Sequence, residues 1–182
     1  HRSTAYDLAL LARACLENET LAGMVSAKSV TFGTRTFTNH NKLLWRYEGC
    51  VGLKTGYTQA AGRTLVSAAE REGMTLICVT LDAPDDWSDH AALLDLGFAR
   101  YRVERCAAAL CRLPVEGSLA PFCPVTAAGE AALCLAEGER AQRVLRLSAP
   151  ALSAPVPAGT PVGEVLWLLE GEVLARAPLV TA

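Results

Sequence analysis

Near the start of the chain, apolar residues recur at the spacing of one helix face. The intervals are i, i+3, i+4, i+7 and i+8, and the residues are Leu8, Leu11, Ala12, Cys15 and Leu16. A stripe of this kind is typical of a helix that packs on a core. Thr4 and Asp7 precede it at the spacing of a capping box, in which the hydroxyl accepts a hydrogen bond from an early backbone N–H. The pattern therefore predicts that a helix begins just after Thr4.

Three apolar runs in the middle of the chain predict strands. They occupy residues 50–56, 63–69 and 75–81. Residues 70–73 leave room only for a short turn between the last two, so these two strands are expected to pair antiparallel.

Two further elements flank these strands. Residues 30–32 and 35–38 lie on either side of Gly33-Thr34, which indicates a tight hairpin. Residues 88–100 have the periodicity of a second helix. The first part of the chain is therefore expected to combine helices with an antiparallel sheet.

The pattern changes near residue 102. Beyond this point, short apolar runs alternate with glycine and proline, and four prolines exclude a long helix in the last part: Pro150, Pro155, Pro157 and Pro161. We therefore expect two domains, residues 1–102 with an α+β fold and residues 103–182 as a small all-β unit, most simply a sandwich.

Composition excludes some classes of function. The 182 residues are 51% hydrophobic and 20% charged, which is typical of a globular protein. A formal net charge of −2 offers no basic surface for nucleic-acid phosphates. The three histidines are scattered, without a second ligand at metal-binding spacing. We therefore expect no nucleic-acid partner, no bound metal and no cofactor.

The tripeptide Lys54-Thr55-Gly56 carries the candidate chemistry. On a strand edge, the lysine supplies a positive charge and the threonine hydroxyl can donate to a carboxylate. The glycine has no Cβ, so an extended substrate can lie against the strand. The backbone N–H of Tyr57 can stabilise a developing oxyanion. The alternative is a solvated lysine followed by a strand-ending glycine.

Four stretches of the chain resemble a known family. They are "HRSTAYDLALLARACL", "NHNKLLWRYEGCVGLKTGYTQAAGRTLVSAAEREGMTLICVTLDAP", "HAALLDLGF" and "APVPAGTPVGEVLWLLEGEVLARAPLV". In their order and spacing they are similar to the serine-type D-alanyl-D-alanine carboxypeptidases, the low-molecular-mass penicillin-binding proteins, in which Lys-Thr-Gly is a signature. The first three resemble the later part of the transpeptidase-like catalytic domain, and the last resembles the small β domain that follows it.

The resemblance implies an enzyme that removes the terminal D-alanine of peptidoglycan stem peptides through a serine acyl-enzyme. Lys54 and Tyr57 would be catalytic, the latter through its N–H, and Thr55 and Gly56 would bind the substrate. The implied partners are the stem peptide and, as inhibitors, β-lactam antibiotics. The implied location is the bacterial cell envelope, outside the cytoplasm.

Two departures from the family pattern matter. The chain contains no S-x-x-K, the motif of the nucleophilic serine, so we expect this segment to precede His1 in the same enzyme. The abrupt start without an initiator methionine fits a fragment or processed product. We expect such a chain to be inactive alone and to retain a companion fragment or self-associate through exposed apolar surface.

The second departure concerns substrate recognition. Some family members carry an arginine just before the helix expected at 88–100, whereas this chain has Asp85-Asp86-Trp87. Recognition of the substrate carboxylate would then rest on Thr55, Lys54 or an unassigned arginine such as Arg63, and the sequence leaves these open.

Two other functions stay open. A non-catalytic module that binds the cell wall or acts as a scaffold would keep the same fold. A β-lactamase would share the Lys-Thr-Gly motif, but that family lacks the appended β domain that residues 103–182 suggest.

Overall fold

The computed structural model describes residues 2–106 and 109–182. The chain divides into two compact units, His1–Arg100 and Tyr101–Ala182. The elements of the first unit are α1 (Ala5–Glu17), α2 (Glu19–Ser26), β1 (Ser29–Phe32), β2 (Arg35–Thr38), α3 (Leu43–Arg46), β3 (Cys50–Thr58), β4 (Gly62–Arg71), β5 (Met74–Thr80) and α4 (Asp86–Arg100). Helices and antiparallel strands together confirm the predicted α+β class.

Helix α1 begins as the capping-box spacing predicts. The Asp7 N–H donates to the Thr4 hydroxyl at 3.1 Å, and the Thr4 N–H donates to the Asp7 carboxylate at 3.3 Å. These two bonds satisfy backbone donors that the first turn of a helix leaves without partners.

The apolar stripe of α1 is narrower than its spacing predicts. Ala12 is buried, and Leu8, Cys15 and Leu16 pack partly buried around it. Leu11 was expected in the same stripe but is 64% exposed, because the contact with the sheet is centred on Ala12 and leaves Leu11 outside it.

Strands β3, β4 and β5 form a three-stranded antiparallel sheet in that order. They confirm the three predicted strands: β3 and β4 are longer than predicted by two and three residues, and β5 begins and ends one residue earlier than predicted. The β1–β2 hairpin around Gly33-Thr34 is also confirmed.

The two faces of this sheet support two separate clusters of buried side chains. One cluster contains Ala12 of α1 with Leu53, Val66 and Ala68 of the sheet. The other includes Leu43 and Tyr47, Leu94 of α4, and three residues of the sheet: Leu65, Ala69 and Cys78. The sheet is therefore held between helices, and α4 covers the second of these faces.

The second unit consists of strands in its described residues. They are β6 (Tyr101–Arg105), β7 (Ala109–Glu116), β8 (Phe122–Ala127), β9 (Ala132–Ala136), β10 (Gln142–Leu147), β11 (Leu152–Ser153), β12 (Pro161–Leu169) and β13 (Glu172–Thr181). Six of them form a sheet in the order β10-β12-β13-β8-β7-β11, and β6 pairs with β9. Leu133 and Leu135 of β9 share one core with Val165 and Leu179 of the larger sheet. This arrangement is that of a small sandwich.

Within the described residues, every helix is too short or too polar to span a lipid bilayer.

Candidate active site

The Lys-Thr-Gly tripeptide lies on an edge strand. Strand β3 pairs with β4 on one side, and no strand in the described part of the chain pairs with its other side. Lys54 faces Val66 across the sheet, and Gly56 faces Thr64. A backbone at a free edge has N–H and C=O groups available to an extended ligand.

The Lys54 side chain reaches round this edge. Val66, the cross-strand partner of Lys54, points to the sheet face that α1 covers. The lysine itself is exposed, and its ammonium donates a hydrogen bond to the carbonyl oxygen of Thr55. Lys54 and Thr55 point to opposite faces of the strand, yet the lysine head group lies beside the threonine backbone.

An open cleft of about 470 Å³ adjoins the tripeptide. Its lining contains the four predicted site residues and five others, including the candidate Arg63: His40, Lys42, Lys54, Thr55, Gly56, Tyr57, Arg63, Asp86 and Trp87. Three of these residues are lysine or arginine and one is aspartate, so the cleft is suited to an anionic group.

The fold does not require a glycine at position 56. A Cβ built there would meet the side chain of Thr64 at 3.7 Å, which is an ordinary van der Waals contact. By contrast, a Cβ on Gly62, in the same hairpin, would lie 1.9 Å from a carboxylate oxygen of Asp82. The absence of a side chain at Gly56 therefore leaves space over the strand that packing does not use.

Arg63 and Asp86 form an ion pair at the wall of the cleft. The Arg63 Nη2 lies 2.9 Å from Asp86 Oδ1, and the Asp86 side chain is 4% exposed whereas that of Arg63 is 41% exposed. The same carboxylate oxygen accepts a hydrogen bond from the Trp87 N–H at 2.9 Å. Asp86 thus has two partners, and it belongs to the first turn of α4, where a negative charge is stabilised.

Trp87 is a platform for two cations. The Arg63 Cζ lies 5.8 Å from the centre of its ring, and the Lys42 Nζ lies 6.0 Å from it. Both distances fall within the range of cation–π attraction. Two positively charged side chains therefore lie beside the Trp87 indole at one end of the cleft.

His90 was not singled out by the sequence, and the structure places it in a buried hydrogen-bond network. Its Nδ1 lies 2.6 Å from the Ser67 hydroxyl and its Nε2 lies 2.9 Å from the Thr80 hydroxyl. Burial lowers the pKa of His90 to about 4. The neutral imidazole therefore ties α4 to both β4 and β5 and stays out of the cleft.

Asn39 and Asn41 hydrogen-bond to nearby backbone groups. The Asn39 amide donates to the Ala27 carbonyl at 3.0 Å, and its side-chain oxygen accepts from the Asn41 N–H at 2.9 Å. The Asn41 side-chain oxygen accepts from the Leu43 N–H at 3.1 Å. These bonds set the turn before α3.

No cluster of three or more potential metal-ligand side chains occurs among the described residues.

The sequence has relatives of known function. Residues 1–85 match the peptidase S11 family, described as D-alanyl-D-alanine carboxypeptidase. The D-alanyl-D-alanine carboxypeptidase DacB2 of Mycobacterium tuberculosis is 38% identical over 107 residues, covering 53% of this chain and 37% of that protein. The D-alanyl-D-alanine carboxypeptidase DacC of Escherichia coli is 30% identical over 190 residues, covering 98% of this chain and 47% of that protein. The chain thus spans about half the length of these relatives or less.

Solved structures agree with these relatives. Penicillin-binding protein 5 from Haemophilus influenzae has a TM-score of 0.69 at 25% identity, covering 98% of this chain and 55% of that one. Penicillin-binding protein D2 from Listeria monocytogenes, in its ampicillin-bound form, has a TM-score of 0.50 at 33% identity, covering 53% of this chain and 42% of that one. Residues 1–85 therefore match the D-alanyl-D-alanine carboxypeptidase family, and the chain as a whole has the fold of part of a low-molecular-mass penicillin-binding protein.

Proposed function

We propose that this chain forms the Lys-Thr-Gly wall of the active site of a serine D-alanyl-D-alanine carboxypeptidase. The observation that carries the proposal is the cleft along the free edge of β3, lined by Lys54, Thr55, Gly56 and Tyr57. The chain has no S-x-x-K, so in this proposal the nucleophilic serine and its partner lysine come from a preceding segment of the same protein. Residues 1–102 are the later part of the catalytic domain, and residues 103–182 are an appended β domain.

Each residue of the wall has a distinct role. The Lys54 ammonium stabilises negative charge as the serine attacks the carbonyl carbon between the two D-alanines. The Tyr57 N–H donates to the oxyanion that forms there, together with the N–H of the nucleophile itself. The Thr55 hydroxyl donates to the terminal carboxylate, and Gly56 lets the peptide backbone lie close to β3.

The proposed substrate is the stem peptide of peptidoglycan, which places the protein outside the cytoplasm in the bacterial envelope. The β-lactam antibiotics are proposed inhibitors, because a β-lactam carbonyl can acylate the same serine. Support comes from the family match of residues 1–85 and from the ampicillin-bound state of the similar Listeria protein.

Labelling with a fluorescent penicillin tests the proposal. The full-length protein, with the segment upstream of these residues, is expected to give a covalent band on a denaturing gel. The 182-residue chain alone is expected to give none, because it lacks the acylated serine. Release of D-alanine from a peptide ending in D-Ala-D-Ala then separates a carboxypeptidase from a β-lactamase.

Three results would contradict parts of this proposal. A band at the mass of the 182-residue chain would place the nucleophile within it. An unlabelled full-length protein that releases no D-alanine would indicate a non-catalytic module. Rapid turnover of penicillin without release of D-alanine would indicate a β-lactamase.

Gly56→Ala separates the proposed substrate contact from the needs of the fold. Because the added Cβ meets only Thr64 at contact distance, the unfolding free energy is expected to change by less than about 1 kcal/mol. Turnover of the peptide by the full-length protein is expected to fall by roughly tenfold or more, since the methyl group occupies the space over the strand. Steady-state kinetics and thermal unfolding measure the two effects.

Gly23→Ala is the control for this variant. Gly23 lies in α2 with no atom within 4 Å of a built Cβ, and it does not line the cleft. It is expected to leave turnover unchanged. Equal turnover by Gly56→Ala and Gly23→Ala would contradict the close approach of the substrate to β3.

A further inference from the structure

Arg63 lies on the same side of the sheet as Thr55. In the antiparallel register, Thr55 faces Leu65 and Tyr57 faces Arg63. Residues that face each other, and residues two apart on one strand, share a face of the sheet. Thr55 and Arg63 are therefore diagonal neighbours, with about 7–8 Å between their backbones. At this spacing the long side chain of Arg63 can contact the same small anion as the Thr55 hydroxyl.

The orientation of the Arg63 side chain is fixed before any ligand binds. Asp86 holds Nη2 from a buried position, and the Trp87 ring lies beside the guanidinium. A side chain that is already ordered loses less conformational entropy when it binds a ligand. This distinguishes Arg63 from Lys42, which is exposed and whose four-carbon side chain has no ion pair within the described residues.

The guanidinium retains unused donor capacity. Its ion pair engages one N–H of Nη2, and Nε is buried without a hydrogen-bond partner among the described residues, so the donors left for a ligand in the cleft are those of Nη1 and the second N–H of Nη2. An arginine carries five N–H donors in a planar fork that matches the two oxygens of a carboxylate. Since 41% of the side chain is exposed toward solvent, part of this fork is open to the cleft.

We infer that Arg63 determines specificity for a substrate with a free terminal carboxylate, and that Asp86 is the residue that positions it. This inference rests on the proposed carboxypeptidase function and deepens it. Arg63 supplies the planar donor fork from β4, Thr55 adds a hydroxyl from β3, and Asp86 at the start of α4 sets the direction of the fork. In this arrangement Lys54 does not bind the carboxylate and acts at the reacting carbonyl instead.

The test compares two peptides on the full-length protein. Both end in D-Ala-D-Ala, one with a free carboxylate and the other with a terminal amide, and kcat/KM is measured for each. Arg63→Gln is expected to lower kcat/KM for the free acid by roughly 10- to 100-fold, the range for loss of a charge-assisted hydrogen bond. For the peptide amide, kcat/KM is expected to change by less than about threefold, since the amide carries no charge for the guanidinium to bind.

Two further variants control for charge and folding. Arg46→Gln removes a nearby exposed arginine that does not line the cleft, and it is expected to leave the acid-to-amide ratio unchanged. Arg63→Lys keeps the charge and is expected to recover only part of the loss, because it lacks the fork. It also serves as the informative variant if Arg63→Gln fails to fold.

Asp86→Asn tests the positioning role by the direction of its effect. If Asp86 only neutralised charge, removing its charge would make the cleft more positive and improve use of the free acid. If it positions Arg63, kcat/KM for the free acid is expected to fall several-fold through a higher KM, while kcat/KM for the amide stays constant. In the double variant Arg63→Gln/Asp86→Asn, the second change is expected to add nothing.

Each outcome is decisive. An equal fall for acid and amide in Arg63→Gln, or no fall for either, overturns the inference while the parent enzyme still turns over peptide and confirms the proposed function. A parent protein that hydrolyses neither peptide overturns the proposed function and the inference with it.

Discussion

Replacing Lys54 by alanine in the full-length protein is expected to lower acylation by penicillin and turnover of a D-Ala-D-Ala peptide together, by on the order of 100-fold or more. The structure gives the physical reason. The ammonium lies at the free edge of β3 and donates to the Thr55 carbonyl, so in the proposed active site a positive charge is already in place near the carbonyl that would react. A preorganised contact of this kind acts in the transition state and therefore affects the rate of acylation directly.

The measurement is the second-order rate constant of acylation, followed with a fluorescent penicillin, beside kcat/KM for the peptide. Lys28→Ala is the control, because Lys28 is also exposed in the first unit but does not line the cleft. Thermal unfolding of both variants is expected to match the parent, as both side chains are at the surface. If Lys54→Ala acylates and turns over like Lys28→Ala, the Lys-Thr-Gly tripeptide is only the end of a strand.

The sheet and its motif could be predicted because their signals are local. The apolar runs of β3, β4 and β5 are continuous and separated by turns, and Lys54-Thr55-Gly56 belongs to the first run. Helix α1 could be predicted from its capping box and from the periodicity of its apolar residues. By contrast, α3 has four residues, which is too short for any helical period to be visible.

The polar pairs between β4 and α4 could not be predicted because their members are distant in sequence. Arg63 and Asp86 are separated by 23 positions, and so are Ser67 and His90. Their pairing depends on α4 crossing β4, which no local pattern specifies. The sequence did mark Asp86 as acidic at a helix start and Arg63 as a candidate for carboxylate recognition, but it did not indicate that one holds the other.

The burial of individual residues also could not be predicted from the sequence where only part of an element is covered by the rest of the fold. A tryptophan by itself suggests a packing residue, as the buried Trp167 is, yet Trp45 is 48% exposed. It belongs to the short helix α3, whose buried contacts are made by Leu43 and Leu44. An aromatic residue therefore indicates a core only when the whole face that carries it is covered.

The buried state of His90 makes stability depend on pH. Its pKa is lowered to about 4 in the folded chain, and it returns to about 6.5 on unfolding. Between these values the unfolded chain binds a proton that the folded chain does not, so the unfolding free energy rises with pH in this window. The contribution is complete above about pH 6.5 and is lost as the pH falls toward 4. Between about pH 7 and pH 5 we expect the first unit to lose about 2 kcal/mol of stability.

Desolvation is the reason for this dependence, and hydrogen bonding is not. The hydroxyls of Ser67 and Thr80 can each accept a hydrogen bond, so they can serve an imidazolium as well as a neutral imidazole. The carboxylates of Asp86 and Asp89 on the same helix favour the charged form, but burial outweighs them.

Urea unfolding followed by helical circular dichroism reports on the first unit, because every helix in the described residues belongs to it. His90→Gln removes the titrating group while keeping a polar side chain, and its unfolding free energy is expected to be flatter with pH by about the same 2 kcal/mol, whatever its absolute stability. The same slope in parent and variant would show that other groups cause the pH dependence and that His90 takes up its proton in the folded chain as easily as in the unfolded one.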